Sequence, residues 1–295
     1  MTRRMRSQWF RGMVSSDHRP ARPGAARDVR RRPLRLEPLE DRRLLATITV
    51  NTIVDENDGV ATGGVSFRDA LAAAASGDTI DFDPALTSGG PATIDLAHGQ
   101  LVANTAVTID GPGAELLTID AGGTSRVFRA FADCTIEGLT LTGGNAPEGG
   151  GILTHRVTVR DSVITGNTST GGGGGIAANY VTLERTRVTG NQSGFWGGGV
   201  QAFRAYISES TISGNSSDFG GGGIAVLGAS ARLALTSSTV SGNTAPRAGA
   251  FLVAHVYFEG SFVAVNQSTI SGNTATEGLG SVTDFYFCLL SRIRG

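Results

Sequence analysis

Asp110 and Asp120 close two similar Thr-Ile-Asp stretches, each running into a glycine turn. Two carboxylates on one face could act as acid and base in cleaving a glycosidic bond, if the fold set their separation correctly. Several aspartates holding a divalent cation beside a basic residue would instead suit proton abstraction from a sugar. The simpler role for both is capping the turn that follows. Other acids in the later repeats, such as Glu148, Asp218 and Glu277, are scattered, and His18, His98, His155 and His255 share no column. Asp55-x-Asn57-Asp58-Gly59 is rich in oxygen ligands like a calcium loop, yet its glycine stands one residue early for the EF-hand pattern. An Asx-rich turn explains it more simply, so calcium at Asp55, Asn57 and Asp58 is the alternative and no other cofactor is expected. Nucleophile elbow, HExxH and phosphate-loop motifs do not occur in the sequence.

Aromatic residues offer a second kind of chemistry. Phe195 and Phe219 stand four residues after Asn191 and Asn215, and Trp196 adjoins the first. If those asparagines mark equivalent turns, the rings stack on neighbouring turns. Exposed rings in a row suit the apolar faces of sugars. The plainer alternative is that they fold over the glycine-rich turn and shield it.

The elements that must position these groups are legible in a repeat. A short Ser/Thr and β-branched phrase closes on Gly-Asn five times, ending at Asn167, Asn191, Asn215, Asn243 and Asn273, with spacings of 24, 24, 28 and 30. A period of that size marks a repeat architecture. Three residues before each Asn stand Ile164, Val188, Ile212, Val240 and Ile270. Eight before stand Val159, Leu183, Ile207, Leu235 and Val265, and ten before stand Val157, Val181, Ala205, Leu233 and Val263. The alternation of the last two columns is that of a strand with one buried face. The apolar residue after the glycine runs (Ile176, Val200, Ile224, Phe251) supplies a further strand. Three short strands per repeat, stacked like on like, give an all-β parallel β-helix whose coils lie about 4.8 Å apart. The Asn column suits side-chain amides bonding to their copies, and the glycine before it suits a positive φ. A leucine-rich horseshoe would need Leu at fixed places and helical returns, which are missing.

Outward columns carry opposite charges on neighbouring coils. Six before the Asn run Asp161, Arg185 and Glu209, and seven before run Arg160 and Glu184. Such exposed pairs contribute a few tenths of a kcal/mol each and chiefly fix register.

Composition narrows the function classes. Gly is 43 of 295 residues, about twice the usual share, without a collagen-like period. Every one of the 25 basic residues is Arg. Residues 1–46 hold 13 Arg against five acids, a net +8, whereas the rest holds 12 against 21, a net −9. A body without a basic stripe argues against nucleic acid as partner. No apolar run is long enough for a transmembrane helix. Cys134, in an apolar run, reads as a buried free thiol far from Cys288.

Four segments follow: a disordered Arg-rich leader (1–46), an N-terminal cap (47–90), the β-helix (91–283) and an atypical tail (284–295). Within the cap, Thr47-Ile48-Thr49-Val50 alternates as a strand, and Ser66-Phe67-Arg68-Asp69 is a capping box opening a short helix to about Ala75. Strands are expected at 79–82, 92–96, 106–110, 116–120, 126–130 and 135–141.

Three resemblances accompany these residues. Leu36-Glu37-Pro38-Leu39-Glu40-Asp41-Arg42-Arg43-Leu44-Leu45-Ala46 resembles the leader motif of large planctomycete-type surface proteins, which implies export. Val65-Ser66-Phe67-Arg68-Asp69-Ala70 resembles the helix start of the CSLREA module, with Val65 and Asp69 replacing its Cys and Glu; that module precedes a right-handed parallel β-helix. The glycine runs with the Ser-x-Ile-Ser/Thr-Gly-Asn phrase resemble the repeats of polymorphic outer-membrane proteins, β-helical surface passengers and adhesins. Together they imply a secreted or cell-surface bacterial protein with a short capping helix, non-enzymatic and adhesin-like or structural, contacting extracellular glycans or cell-surface components. A polysaccharide lyase or glycoside hydrolase on the same fold is the alternative.

Overall fold

The computed structural model describes residues 45–254 and 261–277, and the backbone of 282–285. The leader through residue 44, His255, Cys288 and most of the tail lie outside the described residues.

Three parallel sheets of 15, eight and six strands wrap a continuous core. We call them the long, second and third sheets. Each coil in the repeat region runs along the long sheet, turns into the second, passes the Asn turn into the third, and returns through a glycine run. The long sheet pairs Ile176–Glu184 with Ile152–Arg160 on one side and with Val200–Ala202 and Arg204–Ser208 on the other. Val157, Val181, Ala205, Leu233 and Val263 are in register, as are Val159, Leu183, Ile207, Leu235 and Val265. In the second sheet Ile164, Val188, Ile212, Val240 and Ile270 align. Ile164, Val188, Ile212 and Val240 are completely buried. The sequence alignment is therefore the contact map.

Glycines set the corners. Gly166, Gly190, Gly214, Gly242 and Gly272, each before its Asn, have φ between 61° and 64°. Three glycine columns then stack on the return to the long sheet. The middle one (Gly150, Gly174, Gly198, Gly222, Gly249) is glycine in every copy. A Cβ on Gly198 would run into the carbonyls of Ser216 and Gly222 on the next coil.

The corner from the long to the second sheet differs from expectation. Asp161, Arg185, Glu209, Ser237 and Gln267 all have positive φ, between 46° and 50°. The column read as a charge ladder is also a column of left-handed backbone, a conformation costing L-residues about 1–2 kcal/mol. The strand expected over 135–141 is likewise two, Cys134–Glu137 and Thr140–Thr142, because Gly138 turns the chain at φ 64° in that same corner.

At the N-terminal end, Thr47–Val50 pairs with Thr79–Phe82, and the helix Phe67–Ala73 packs against Thr47–Val50 and Leu101–Ala103. Ser66 caps it by accepting from the Asp69 amide at 3.1 Å, while its hydroxyl donates to the Asp69 carboxylate at 2.7 Å. The other Asp69 oxygen accepts from the Gly59 amide at 2.9 Å. Helical φ/ψ ends at Ala73, earlier than expected, with Ala74 extended and the Ala75 amide bonded to Asp78. Phe67 is buried edge-on to Phe82 at 5.1 Å between centroids, closing the first coil with apolar surface. At the other end, the backbone of Val282–Phe285 pairs with Phe251–Ala254, so the long sheet continues past 283.

Candidate functional site

On the return from the third sheet, three rings gather. Phe195 lies 5.0 Å from Trp196 and 4.8 Å from Phe219, and Trp196 stands edge-on to Phe219 at 4.2 Å. Backbone bonds hold the column: the Phe195 amide donates to Gly171 and the Arg247 amide to Phe219. The Arg247 guanidinium lies 4.6 Å from the centre of the Phe219 ring and makes a loose ion pair with Glu277 at 3.9 Å. Glycines on the adjoining coils make room: Trp196 reaches to 3.1 Å of where a Gly220 Cβ would sit. Trp196 and Phe219 are half-buried over the turn, whereas Phe195 is 45% exposed. The two readings of these rings thus divide between them: two shield the backbone and one faces solvent.

The two candidate acids lie on different sheets. Asp110 belongs to the long sheet, between Asp81 and Glu137 on adjacent strands. Asp120 belongs to the second sheet, beside Asp95 and Thr142. One Asp120 oxygen accepts from the Gly122 amide at 2.8 Å, which is turn capping. The two similar stretches alternate between sheets, so their carboxylates do not share a ladder.

Asp55 is committed to a cation already within the chain. Its carboxylate receives Arg68 Nε at 2.8 Å and Nη2 at 2.9 Å, and the His98 amide at 2.9 Å. Burial pushes Asp55 up, but the Arg68 and His98 hydrogen bonds outweigh it and hold the carboxyl below its ordinary value. Asn57 and Asp58 are exposed, away from this buried pair. Both Asp55 oxygens thus accept hydrogen bonds from within the chain.

The asparagines form a buried, directional ladder. Asn191 donates from its backbone N–H and from Nδ2 to Oδ1 of Asn215, both at 3.0 Å, and Asn167, Asn215 and Asn243 repeat this with Asn191, Asn243 and Asn273. Each Nδ2 also donates to a strand carbonyl of the preceding coil, such as Ile164 from Asn191 at 2.9 Å. A second, hydroxyl ladder lies five residues earlier, at Ser162, Thr186, Ser210, Ser238 and Ser268. The Thr186 amide donates to Ser210 Oγ at 3.0 Å and the Ser238 amide to Ser268 Oγ at 3.0 Å. The apolar and Asn columns do not reveal this ladder, yet every copy carries Ser or Thr there.

Cys134 is buried, and its thiol is pushed up to about 12 by burial and by the nearby Asp133 charge. No helix among the described residues is long and apolar enough to cross a membrane. A β-solenoid with parallel ladders on every face is what the sequence model of the family described as right handed beta helix region also finds, over residues 105–275. The chain belongs to this family. No curated protein and no solved structure matches it. In this right-handed β-helix the inward columns pack the core, and the solvent-facing columns are the ones open to other molecules.

Proposed function

We propose that the chain is an exported, cell-surface β-helix whose task is contact, not catalysis: a rigid adhesin-like module that holds a glycan against the Phe195 ridge. The observation carrying this reading is the exposed Phe195 ring braced by half-buried Trp196 and Phe219 on the adjoining turn. A ring fixed in this way loses little freedom when a sugar face stacks on it. Dispersal of Asp110 and Asp120 onto different sheets supports contact over hydrolysis.

Glycan-array binding tests it. Retention of neutral oligosaccharides unchanged, lost in Phe195→Ala and weakened in Trp196→Ala and Phe219→Ala, is the expected result. Failure to retain any neutral glycan overturns the ridge as a binding site. Release of unsaturated or reducing ends, abolished by Asp110→Asn or Asp120→Asn, would replace the reading with a polysaccharide lyase or glycoside hydrolase.

A further inference from the structure

One outward column of the long sheet sets two arginines side by side, with no carboxylate beside either among the described residues. Other neighbouring coils bring opposite charges together: Arg160 with Glu184 at 2.7 Å, Asp161 with Arg185 at 2.7 Å, and Asp133 with Arg156 at 3.1 Å. The column that begins at Arg156 continues in register through Tyr180, Arg204, Arg232 and Phe262. Arg204 and Arg232 are thus direct partners on adjacent strands, about 4.8 Å apart along the solenoid. Neither has an ion-pair partner among the described residues. Like charges directly opposite each other destabilise a sheet, and the packing of these strands rests on their inward residues, so the fold itself does not require the pair.

What surrounds the two guanidiniums suits a ligand. Arg156 and Arg204 both face the Tyr180 ring, at 4.4 and 5.6 Å from its centre. Two residues along on the same outer face, Tyr206 is followed on the next strands by Ala234 and Ala264. Beyond Tyr206 the outward side chains therefore shrink to methyl groups at Ala234 and Ala264. Tyr206 is 42% and Phe262 48% exposed on the same face. Guanidiniums take carboxylates or sulfates in bidentate fashion, and aromatic rings take the C–H faces of pyranoses. A duplex nucleic acid engages many more phosphates than two arginines can meet, and the body beyond residue 46 is net acidic.

We infer that the face of the long sheet around Arg204 and Arg232 binds an anionic polysaccharide, with the two guanidiniums on its carboxylate or sulfate groups and its sugar rings against the exposed Tyr206 and the alanines that follow it. This site is separate from the Phe195 ridge and stands or falls independently of it.

Calorimetric titration of the full chain at low salt with polygalacturonate, alginate, chondroitin sulfate, dextran and duplex DNA tests the inference. Binding to a carboxylated or sulfated chain, and not to dextran, supports it; preference between the two anions identifies the source. The Arg204→Gln/Arg232→Gln variant is expected to bind roughly tenfold more weakly or worse, at unchanged melting temperature, while Arg187→Gln, at an exposed arginine of the second sheet, binds normally. Arg232→Glu supplies Arg204 with a partner, so it should raise the melting temperature while abolishing binding. No binding to any anionic polysaccharide, equal binding to dextran or DNA, or binding unaffected by the double variant overturns the inference.

Discussion

Asp55 and Arg68 form a bidentate pair in which the carboxylate side chain is almost completely buried and the guanidinium nearly so. Arg68 directs two further donors to the carbonyls of Gly99 and Gln100, at 2.7 and 2.9 Å. The pair therefore ties the turn before the capping helix to the coil behind it. Removing the carboxylate leaves a buried cation with neutral partners only, so Asp55→Ala should cost about 3 kcal/mol in urea denaturation.

The same pair sets an acid limit. The folded-state value of Asp55 lies below its ordinary value, so its contribution is complete above the ordinary carboxylate range and is lost as pH falls through the folded value. Wild-type stability should decline from about pH 4 downward, and Asp55→Asn should flatten that decline. Adding calcium at neutral pH should leave the melting temperature unchanged.

Breaking the amide ladder in its middle should be expensive. Asn215→Ala removes the acceptor for two Asn191 donors and the donor to Val188, all buried. A loss of about 2–4 kcal/mol is expected. Asn273→Ala, at a less buried rung, should cost less, and equal losses at the two sites would contradict a ladder whose rungs differ by burial.

Gly198→Ala should cost about 3 kcal/mol or prevent folding, because its methyl collides with backbone, which cannot rotate away as a side chain can. Gly89→Ala, where a Cβ meets nothing within 4 Å, is the control and should be neutral within about 0.5 kcal/mol.

Cys134 should resist chemistry while the chain is folded. In a Cys288→Ser background, a disulfide reagent at pH 8 is expected to label the thiol only after denaturant is added. Rapid labelling without denaturant would contradict its burial.

Legibility in the sequence followed the repeat. Within 157–273 a residue's neighbours are its own counterparts one coil away, so aligning copies on the Asn was equivalent to pairing strands. The apolar columns, the glycine before each Asn and the Arg160–Glu184 and Asp161–Arg185 pairs could be read for that reason. The cap has no second copy. Nothing local tells Asp55 that Arg68, thirteen residues on, will turn its side chain inward. The alternation of Asp110 and Asp120 between sheets was obscured because the early coils carry the same Thr-Ile-Asp phrase twice per turn. At Asp161, Arg185 and Glu209 the side chains signal a charge ladder, while the left-handed backbone beneath them has no glycine to announce it. Arg204 and Arg232 stand eleven residues before their Asn, but two like charges make neither an apolar column nor an alternating one, so the repeat pattern does not mark them.

The repeat lengthens from 24 to 28 residues between Asn191–Asn215 and Asn215–Asn243, yet the rungs of the ladder stay at 2.9–3.0 Å. The four additional residues lie at 228–231, between Ile224–Leu227 and Arg232–Thr236, and the strands on either side keep their pairing. Sideways growth and axial advance are thus uncoupled. The chain behaves as a ruler graduated in steps of about 4.8 Å, on which outward decoration can change in size without altering where the next mark falls.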